Sequence, residues 1–255
     1  MATRLAFWRR EEEDAQSLGE QHAHPGLLAD FILGSQDGLV NVLGVILGVA
    51  VAVLAQAAAI EPLRIILAGG LAATFAESIS MGAVAYTSTL ARRDHYLKEI
   101  EREKQEMVEL PHVEREEVRV VLERWGFEGE ELEHVTDKII SKPQAWLEFM
   151  MAHELNLAPV DKGQARKSAL IVGLAALAGS LVPLIPFLIT GRDIVLGIMI
   201  SLTVSAVTLF VIGWYKGKVT IGRPARSGVQ MLVIGIVSAL AGAGIAILVG
   251  APTTP

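Results

Sequence analysis

The sequence predicts an all-α membrane protein with five transmembrane helices and a polar helical insert between the second and the third. Hydrophobic residues make up 52% of its 255 residues. They are gathered into five runs that each reach the ~20 residues needed to cross a bilayer. Residues 92–154 hold 17 of the 28 acidic residues, which favours solvated helices or bound cations and argues against nucleic acid. Cysteine is absent, so disulfides and thiolate metal sites are excluded.

The five apolar runs set the predicted domain boundaries. They are Phe31–Ala59, Leu63–Leu90, Ser168–Thr190, Ile194–Tyr215 and Gly228–Gly250. An N-terminal tail (1–29) precedes transmembrane helices 1 and 2 (30–91), and the insert (92–163) precedes transmembrane helices 3–5 (164–255). We expect no cleavable signal peptide, because the first apolar run starts late and is too long for one. Pro183 and Pro186 predict a kink in the third span.

Lysine and arginine are concentrated at one end of the runs, which predicts the orientation. The residues at that end are Arg4, Arg9, Arg10, Arg92, Arg93, Arg166, Lys167, Lys216, Lys218, Arg223 and Arg226. The loops at the opposite end hold only Arg64 and Arg192. Positive residues mark the cytoplasmic side, so the N-terminus and the insert are predicted to be cytoplasmic.

The first run carries one charged side chain, Asp37, on a stripe of small and polar residues. At helical spacing one face carries Asp30, Gly34, Asp37, Asn41, Gly44 and Gly48. A carboxylate at that depth is costly and should face a partner, a wet cavity or a cation. The glycines would let another backbone approach closely. The alternative is a helix-packing seam with one tolerated acid.

The second run has a polar face of its own, formed by Thr74, Glu77, Met81 and Ser88. Glu77 and Met81 are one turn apart and combine a hard oxygen with a soft thioether. That pair suits a transition-metal ion better than Mg²⁺ or Ca²⁺. The alternative is that Met81 only fills space in the packing.

The insert is predicted to contain about four helices. The second span should continue to Pro111, and further breaks fall at residues 126–129 and at Pro143. The apolar residues Val118, Val121, Leu122 and Trp125 are spaced to pack in a small helical bundle. Carboxylates three or four residues apart on facing helices can build a divalent metal site. The candidate ligands are Glu103, Glu106, Glu114, Glu117, Met150, Met151 and Glu154, with His153 as an auxiliary. The alternative is a solvated charged face, which Arg102, Lys104, Arg115 and Arg119 could pair.

These residues together resemble the vacuolar iron transporter family, which also has bacterial and archaeal members. The specific pieces are DFILGSQDGLV at residues 30–40, Ser80-Met81, the glutamate-rich helices and MMAHEL at residues 150–155. The resemblance implies five transmembrane helices with a cytoplasmic three-helix metal-binding insert, assembled as a homodimer. It also implies proton-coupled export of Fe²⁺, and in some members Mn²⁺, Co²⁺ or Zn²⁺, out of the cytosol.

The resemblance matches Asp37 and Met81 to the family's translocation path, and the seven ligands above to its cytoplasmic metal site. Asn41 and Glu77 complete the predicted path. Many eukaryotic members have a glutamate four residues after the Ser-Met pair, where this chain has Ala85. Glu77, one turn before Met81, keeps a carboxylate near the path.

We therefore predict a transporter rather than an enzyme, with no prosthetic group. Its expected partners are divalent metal ions, protons, a lipid bilayer and a second copy of the chain, whose first spans would meet at a pore through their glycines. A prokaryotic plasma membrane is expected, with a vacuolar membrane as the alternative. Two other classes stay open. A di-iron oxidase would need a Glu-x-x-His motif on each of two facing helices, and a metal sensor or buffer would not transport.

Overall fold

A computed structural model describes residues 25–55, 61–161, 163–220 and 222–250 of the chain. These residues form helices joined by turns, and five helical segments are long and apolar enough to cross a membrane. The all-α class and the five spans are therefore confirmed. The helices are α1 (Pro25–Ala55), α2 (Pro62–Glu109), α3 (Pro111–Arg124), α4 (Gly129–Ile140), α5 (Pro143–Phe149), a π-helical turn (Met150–Glu154), α6 (Gln164–Leu181), α7 (Ile185–Thr190), α8 (Ile194–Val219) and α9 (Pro224–Gly250). The predicted tail lies, up to residue 24, outside the described residues.

The chain divides into two compact units. Unit 1 contains the described residues up to Ser78 and those from Ile171 onward, and unit 2 runs from Ile79 to Leu170. Helix α2 contributes to both units, since it continues past the apolar run as far as Glu109. Its length confirms the prediction that no helix breaker acts before Pro111, which begins α3.

Helix α1 is the central helix of unit 1. Over its most apolar stretch 56% of the residues are buried, against 11% for α9 and 28% for α8. Its side chains Val42 and Ile46 pack with Ile66 of α2 and with Leu184 and Phe187 from the region of α7. Burial of this apolar area fixes α1 within unit 1, so the polar residues on α1 are held by the best-packed span.

The glycines of α1 are sites of close backbone approach, but to helices of the same chain. A Cβ at Gly34 or Gly38 would collide with carbonyl oxygens of α6, and a Cβ at Gly48 would lie 3.2 Å from the carbonyl oxygen of Gly242 in α9. The prediction that another backbone approaches these glycines is confirmed. The expectation that this backbone belongs to a second copy is wrong for these positions, because α6 and α9 already occupy them.

The predicted kink in the third span is confirmed and amounts to a break. Helix α6 ends at Leu181 and α7 begins at Ile185, because Pro183 and Pro186 have no amide hydrogen to continue the helical bonding. The hydroxyl of Ser201 on α8 donates to the carbonyl oxygen of Pro183 at 2.8 Å. This bond satisfies one of the carbonyl groups that the break leaves free.

Unit 2 has its own hydrophobic core, formed by Val118, Leu122, Leu132, Trp146 and Met150. The helical spacing of the apolar residues predicted the first two as core residues, and their burial confirms it. The same spacing predicted Trp125 as a core residue, which is wrong because Trp125 is 53% exposed. It lies just past the last residue of α3, where helical periodicity no longer sets the direction of a side chain.

Candidate metal sites

Three of the four predicted path residues meet in unit 1. The amide nitrogen Nδ2 of Asn41 donates to Oε1 of Glu77 at 3.0 Å, and the carboxyl groups of Asp37 and Glu77 are also in hydrogen-bonding contact. Asp37 is half-buried and Asn41 is exposed, whereas the adjacent Val40 and Val42 are buried. Polar oxygens from α1 and α2 therefore face one uncovered strip of unit 1.

No arginine or lysine neutralises this strip in the described part of the chain. The ion pairs found there involve carboxylates other than Asp37 and Glu77. Two acids within an apolar span need either protons or a cation to offset their charge. The absence of a basic partner among the described residues favours the prediction of a cation path over the packing-seam alternative.

The other residues of the predicted polar face on α2 differ from one another in burial. The hydroxyl of Thr74 is fully buried and donates to the carbonyl oxygen of Gly70 at 2.8 Å, so it is already satisfied within α2. Met81, one turn after Glu77 on the same helix, is half-buried, and Ala85 is buried. Helical spacing identified a common side of α2 but could not tell which part of it another helix covers.

In unit 2, two of the predicted glutamate ligands are deeply buried. Glu103 on α2 is 1% exposed and Glu114 on α3 is 3% exposed. Their carboxyl groups share a hydrogen bond, which requires a proton on one of them. The other oxygens, Oε1 of Glu103 and Oε2 of Glu114, are buried without a hydrogen-bond partner, as is Oε2 of Glu154. An unsatisfied buried oxygen costs about 1–3 kcal/mol, and a cation would remove that cost.

Burial and mutual repulsion raise the pKa values of these acids. Burial raises the pKa of Glu114 to about 8, and the hydrogen bond and charge of Glu103 act in the same direction. Burial raises the pKa of Glu154 to about 7, with repulsion from Glu117 and Glu114 added. Burial, with the charge of Glu106, also raises the pKa of Glu117. Without a metal, protons therefore occupy part of the acidic cluster near neutral pH.

We expect the metal-free protein to lose stability as the pH rises from about 5 to 8. The folded state binds more protons than the unfolded state in this window, because the pKa of Glu114 rises from 4.5 to about 8 on folding. The free energy of unfolding must then fall as these protons leave. Thermal unfolding in detergent measures this as a Tm that falls by at least ~2–4 °C, the effect of ~1 kcal/mol in a protein of this size.

The control for this pH dependence is a pair of matched substitutions. Glu114→Gln should flatten the pH profile of Tm, whereas Glu101→Gln should leave it unchanged, because Glu101 is an exposed acid on the same helix as Glu103. A Tm that falls equally steeply in Glu114→Gln would contradict the assignment of the bound proton to Glu114.

The remaining predicted ligands lie on a π-helical turn. The amide of Leu155 donates to the carbonyl oxygen of Met150 at 3.0 Å, which is the wider bonding of a π-turn, a feature often found at functional sites. Met150 and Met151 are both buried, and Met150 packs in the core of unit 2. Its packing role is therefore shown, and its role as a ligand stays a prediction.

The auxiliary candidate His153 contacts aromatic rings. Its imidazole lies 4.8 Å from the ring of Trp125 and 5.1 Å from that of Phe149, measured between centroids. The side chain is exposed. This aromatic cluster fixes the end of the π-turn, which sequence reasoning did not anticipate because the three residues are separated by up to 28 positions in the chain.

Arginine pairing divides the acids of unit 2 into two groups. Arg115 and Arg119 form ion pairs with Glu116, Glu123, Glu133 and Asp137, at 2.6–3.1 Å. None of these four acids is a predicted ligand, so the solvated-face alternative accounts for them. It does not account for Glu103 and Glu114, which have no arginine partner among the described residues.

One arginine does reach a predicted ligand, and it is among the basic residues that the solvated-face alternative named. Nη2 of Arg102 lies 2.9 Å from Oε2 of Glu99, and its Nε lies 3.4 Å from Oε2 of Glu106. Within the described residues, no three His, Asp or Glu side chains are grouped closely enough to hold a metal ion together. The acidic cluster is thus held by a shared proton and an arginine, and binding a metal would require its side chains to rearrange.

Comparison with known proteins gives a consistent result over most of the chain. A family model described as the VIT family matches residues 28–247. The sequence is 35% identical to vacuolar iron transporter 1 of Oryza sativa subsp. japonica over 89% of this chain and 87% of that protein. It is 33% identical to vacuolar iron transporter 1 of Eucalyptus grandis over 92% of this chain and 93% of that protein.

A more distant relative extends the likeness to fungi. Protein CCC1 of Saccharomyces cerevisiae is 26% identical over 86% of this chain and 68% of that protein. The plant relatives are named as transporters and not as enzymes.

Proposed function

The chain belongs to the VIT family, and on that premise we propose that it exports divalent transition-metal ions from the cytosol in exchange for protons. Fe²⁺ is the expected substrate, since the plant relatives are named iron transporters; Mn²⁺, Zn²⁺ and Co²⁺ are further candidates. The observation that carries this proposal is the contact of Asp37, Asn41 and Glu77 within the apolar spans, with no basic partner among the described residues.

The transport path is proposed to follow this polar strip. Asp37 and Glu77 supply carboxylate oxygens, and Asn41 adds a neutral oxygen that favours a cation without adding charge. Met81 offers a thioether one turn further along α2, which suits a borderline ion such as Fe²⁺ better than Mg²⁺. The carboxylates bind either a metal ion or protons, because metal ligands must be deprotonated.

A second copy of the chain is proposed to cover the strip and complete the pore. Asp37 and Asn41 lie on a part of α1 that the described residues leave uncovered, and lipid is a poor neighbour for a carboxylate. A two-fold axis beside α1 would place two such strips face to face. Side chains and not glycines would form this contact, because α6 and α9 already occupy the glycines.

The insert is proposed to gather metal on the cytoplasmic side. The buried, unpartnered oxygens of Glu103, Glu114 and Glu154 supply hard ligands, and Met150 and Met151 supply soft ones. Glu106 and Glu117 lie one turn from the buried pair on α2 and α3. The resulting set of oxygen and sulfur donors suits a transition metal.

Flux measurements in proteoliposomes test this proposal. The full-length protein is reconstituted, a pH gradient is imposed, and uptake of Fe²⁺, Mn²⁺, Zn²⁺, Co²⁺ and Mg²⁺ is compared. We expect Fe²⁺ or Mn²⁺ flux that collapses when a protonophore removes the gradient, and no Mg²⁺ flux. Metal binding without flux of any ion would favour a sensor or buffer instead.

Two further points stay predictions. Iron oxidation by the protein without flux would favour the di-iron oxidase, which needs Glu-x-x-His motifs on facing helices. The two such spacings in the insert do not supply them, because Glu109 and His112 lie on either side of the break at Pro111, and Glu131 and His134 are exposed. The relatives are named as vacuolar proteins, and the plasma membrane expected for this chain is separately testable by fractionation of host membranes.

A further inference from the structure

We infer that Arg102 competes with the metal ion for Glu106. Its guanidinium pairs with Glu106 in the metal-free cluster and must be displaced when the ion binds. Arg102 thereby lowers the affinity of the cluster and promotes release of the ion. This inference rests on the metal-collecting role proposed for the insert. Arg102 itself lies outside the predicted ligand set.

The geometry places the guanidinium between two acids of α2. Arg102 reaches back one turn to Glu99, at 2.9 Å, and forward one turn to Glu106, at 3.4 Å. Glu99 is itself 8% exposed, whereas half of the Arg102 side chain is exposed. One end of the contact is thus anchored on a buried acid and the other on a predicted ligand. The longer, weaker contact is the one to Glu106, so it is the one that a metal ion can replace.

The charge of Arg102 also acts on acids outside its own helix. It favours the ionised forms of Glu117 on α3 and of Glu154 on the π-turn. These two acids belong to the predicted ligand set, together with Glu106. Arg102 therefore offsets part of the repulsion among the acids when no metal is present, and it repels a divalent ion that enters among them.

The other basic side chains with ion pairs in the described part of unit 2 contact acids outside the predicted ligand set. Arg93 lies 3.8 Å from Asp94, and Nδ1 of His95 lies 3.7 Å from Oε1 of Glu99, the acid that also anchors Arg102. Lys104 pairs with Glu101 at 2.8 Å, and both are exposed. Arg115 and Arg119 are taken up by acids outside the ligand set. An arginine stays protonated at every physiological pH, so its competition with the metal is permanent.

A divalent ion and a guanidinium cannot share Glu106 at low cost, because like charges repel strongly in a partly desolvated site. Loading must turn Arg102 away from Glu106, and its return helps to expel the ion. Removing the charge should therefore tighten metal binding and slow release. A residue that merely held the fold together would show the reverse, since its loss would weaken binding.

Titration of the full-length protein in detergent with Mn²⁺, followed by calorimetry, tests this inference. We expect Arg102→Gln to bind Mn²⁺ at least ~10-fold more tightly than wild type, which corresponds to ~1.4 kcal/mol. Arg102→Lys keeps the charge and should stay within ~3-fold of wild type. Lys104→Gln, which removes a charge two residues away on the exposed face, is the matched control and should not change the affinity.

Transport adds a second readout. In proteoliposomes Arg102→Gln should lower both the KM for the metal and the maximal rate, because tighter loading accompanies slower release. Weaker or unchanged Mn²⁺ binding in Arg102→Gln overturns the inference. Equal tightening in Arg102→Lys, which keeps the charge, also overturns it. If the glutamine variant does not fold, tightening in Arg102→Lys beyond ~3-fold is the result that overturns it. If wild type binds no Mn²⁺, Fe²⁺ or Zn²⁺, the proposed metal-collecting role itself fails and this inference fails with it.

Discussion

Asp37→Asn is expected to abolish proton-driven metal flux in proteoliposomes. The substitution keeps the shape of the side chain but removes the negative charge of Asp37, whose carboxyl group contacts Glu77 in the uncovered strip of unit 1. Loss of a ligand should exceed the ~10–100-fold that loss of a supporting residue typically costs in metal affinity or activity. Flux should therefore fall to the level of protein-free liposomes.

The control for this experiment removes an acid of the same type outside the path. Asp161→Asn changes an exposed aspartate in the connection before α6 and should leave the flux at the wild-type rate. Tm values should be similar for both variants, which separates loss of function from loss of fold. Should Asp37→Asn carry Fe²⁺ as fast as wild type, the proposed path does not run through this strip.

Glu103→Gln should give the second large effect, a loss of metal binding by unit 2 without a loss of stability. Glu103 is almost fully buried and has an oxygen with no partner, so it is the best-placed hard ligand of the set. We expect affinity for Mn²⁺ in the full-length protein to fall at least ~100-fold, more than for supporting residues. Calorimetric titration measures this directly.

The stability of the same variant should move the other way. A glutamine amide can donate a hydrogen bond to the carboxylate of Glu114 without needing the proton that two carboxyl groups must share. The Tm of the metal-free protein should therefore stay unchanged or rise. Glu101→Gln, an exposed acid two positions earlier, should change neither property. A fall in both affinity and Tm would mean that Glu103 supports the fold and would leave its ligand role without support.

The sequence predicted the helices well because their ends depend on local chemistry. Pro111 and Pro143 begin α3 and α5 in the structure, and Gly129 begins α4. Each break follows from residues that cannot continue a helix or that favour a turn, whatever surrounds them. Length and hydropathy likewise identified the five spans, since both are properties of the chain alone.

The site was predictable as a set of faces but not as a set of contacts. Helical spacing put Glu103 and Glu106 on one side of α2 and allowed Arg102 to pair with Glu106 one turn away. It gave no reason to expect that Glu103 is buried against Glu114, because that pairing depends on how two helices pack. The π-turn at Met150 was missed for the same reason, because no sequence pattern distinguishes it from an ordinary helical turn.

The collision of any added Cβ at Gly34 and Gly38 with carbonyl oxygens of α6 has a mechanical consequence. Helix α1 has no clearance along this seam, so it cannot slide or roll against α6 without separating from it. If transport alternates between two arrangements, α1 is the stationary part, and the moving part must come from a span that is held more loosely. Of the two spans that carry path acids, α2 is the more loosely held, since its apolar stretch is 17% buried against 56% for α1, so we expect Glu77 rather than Asp37 to travel.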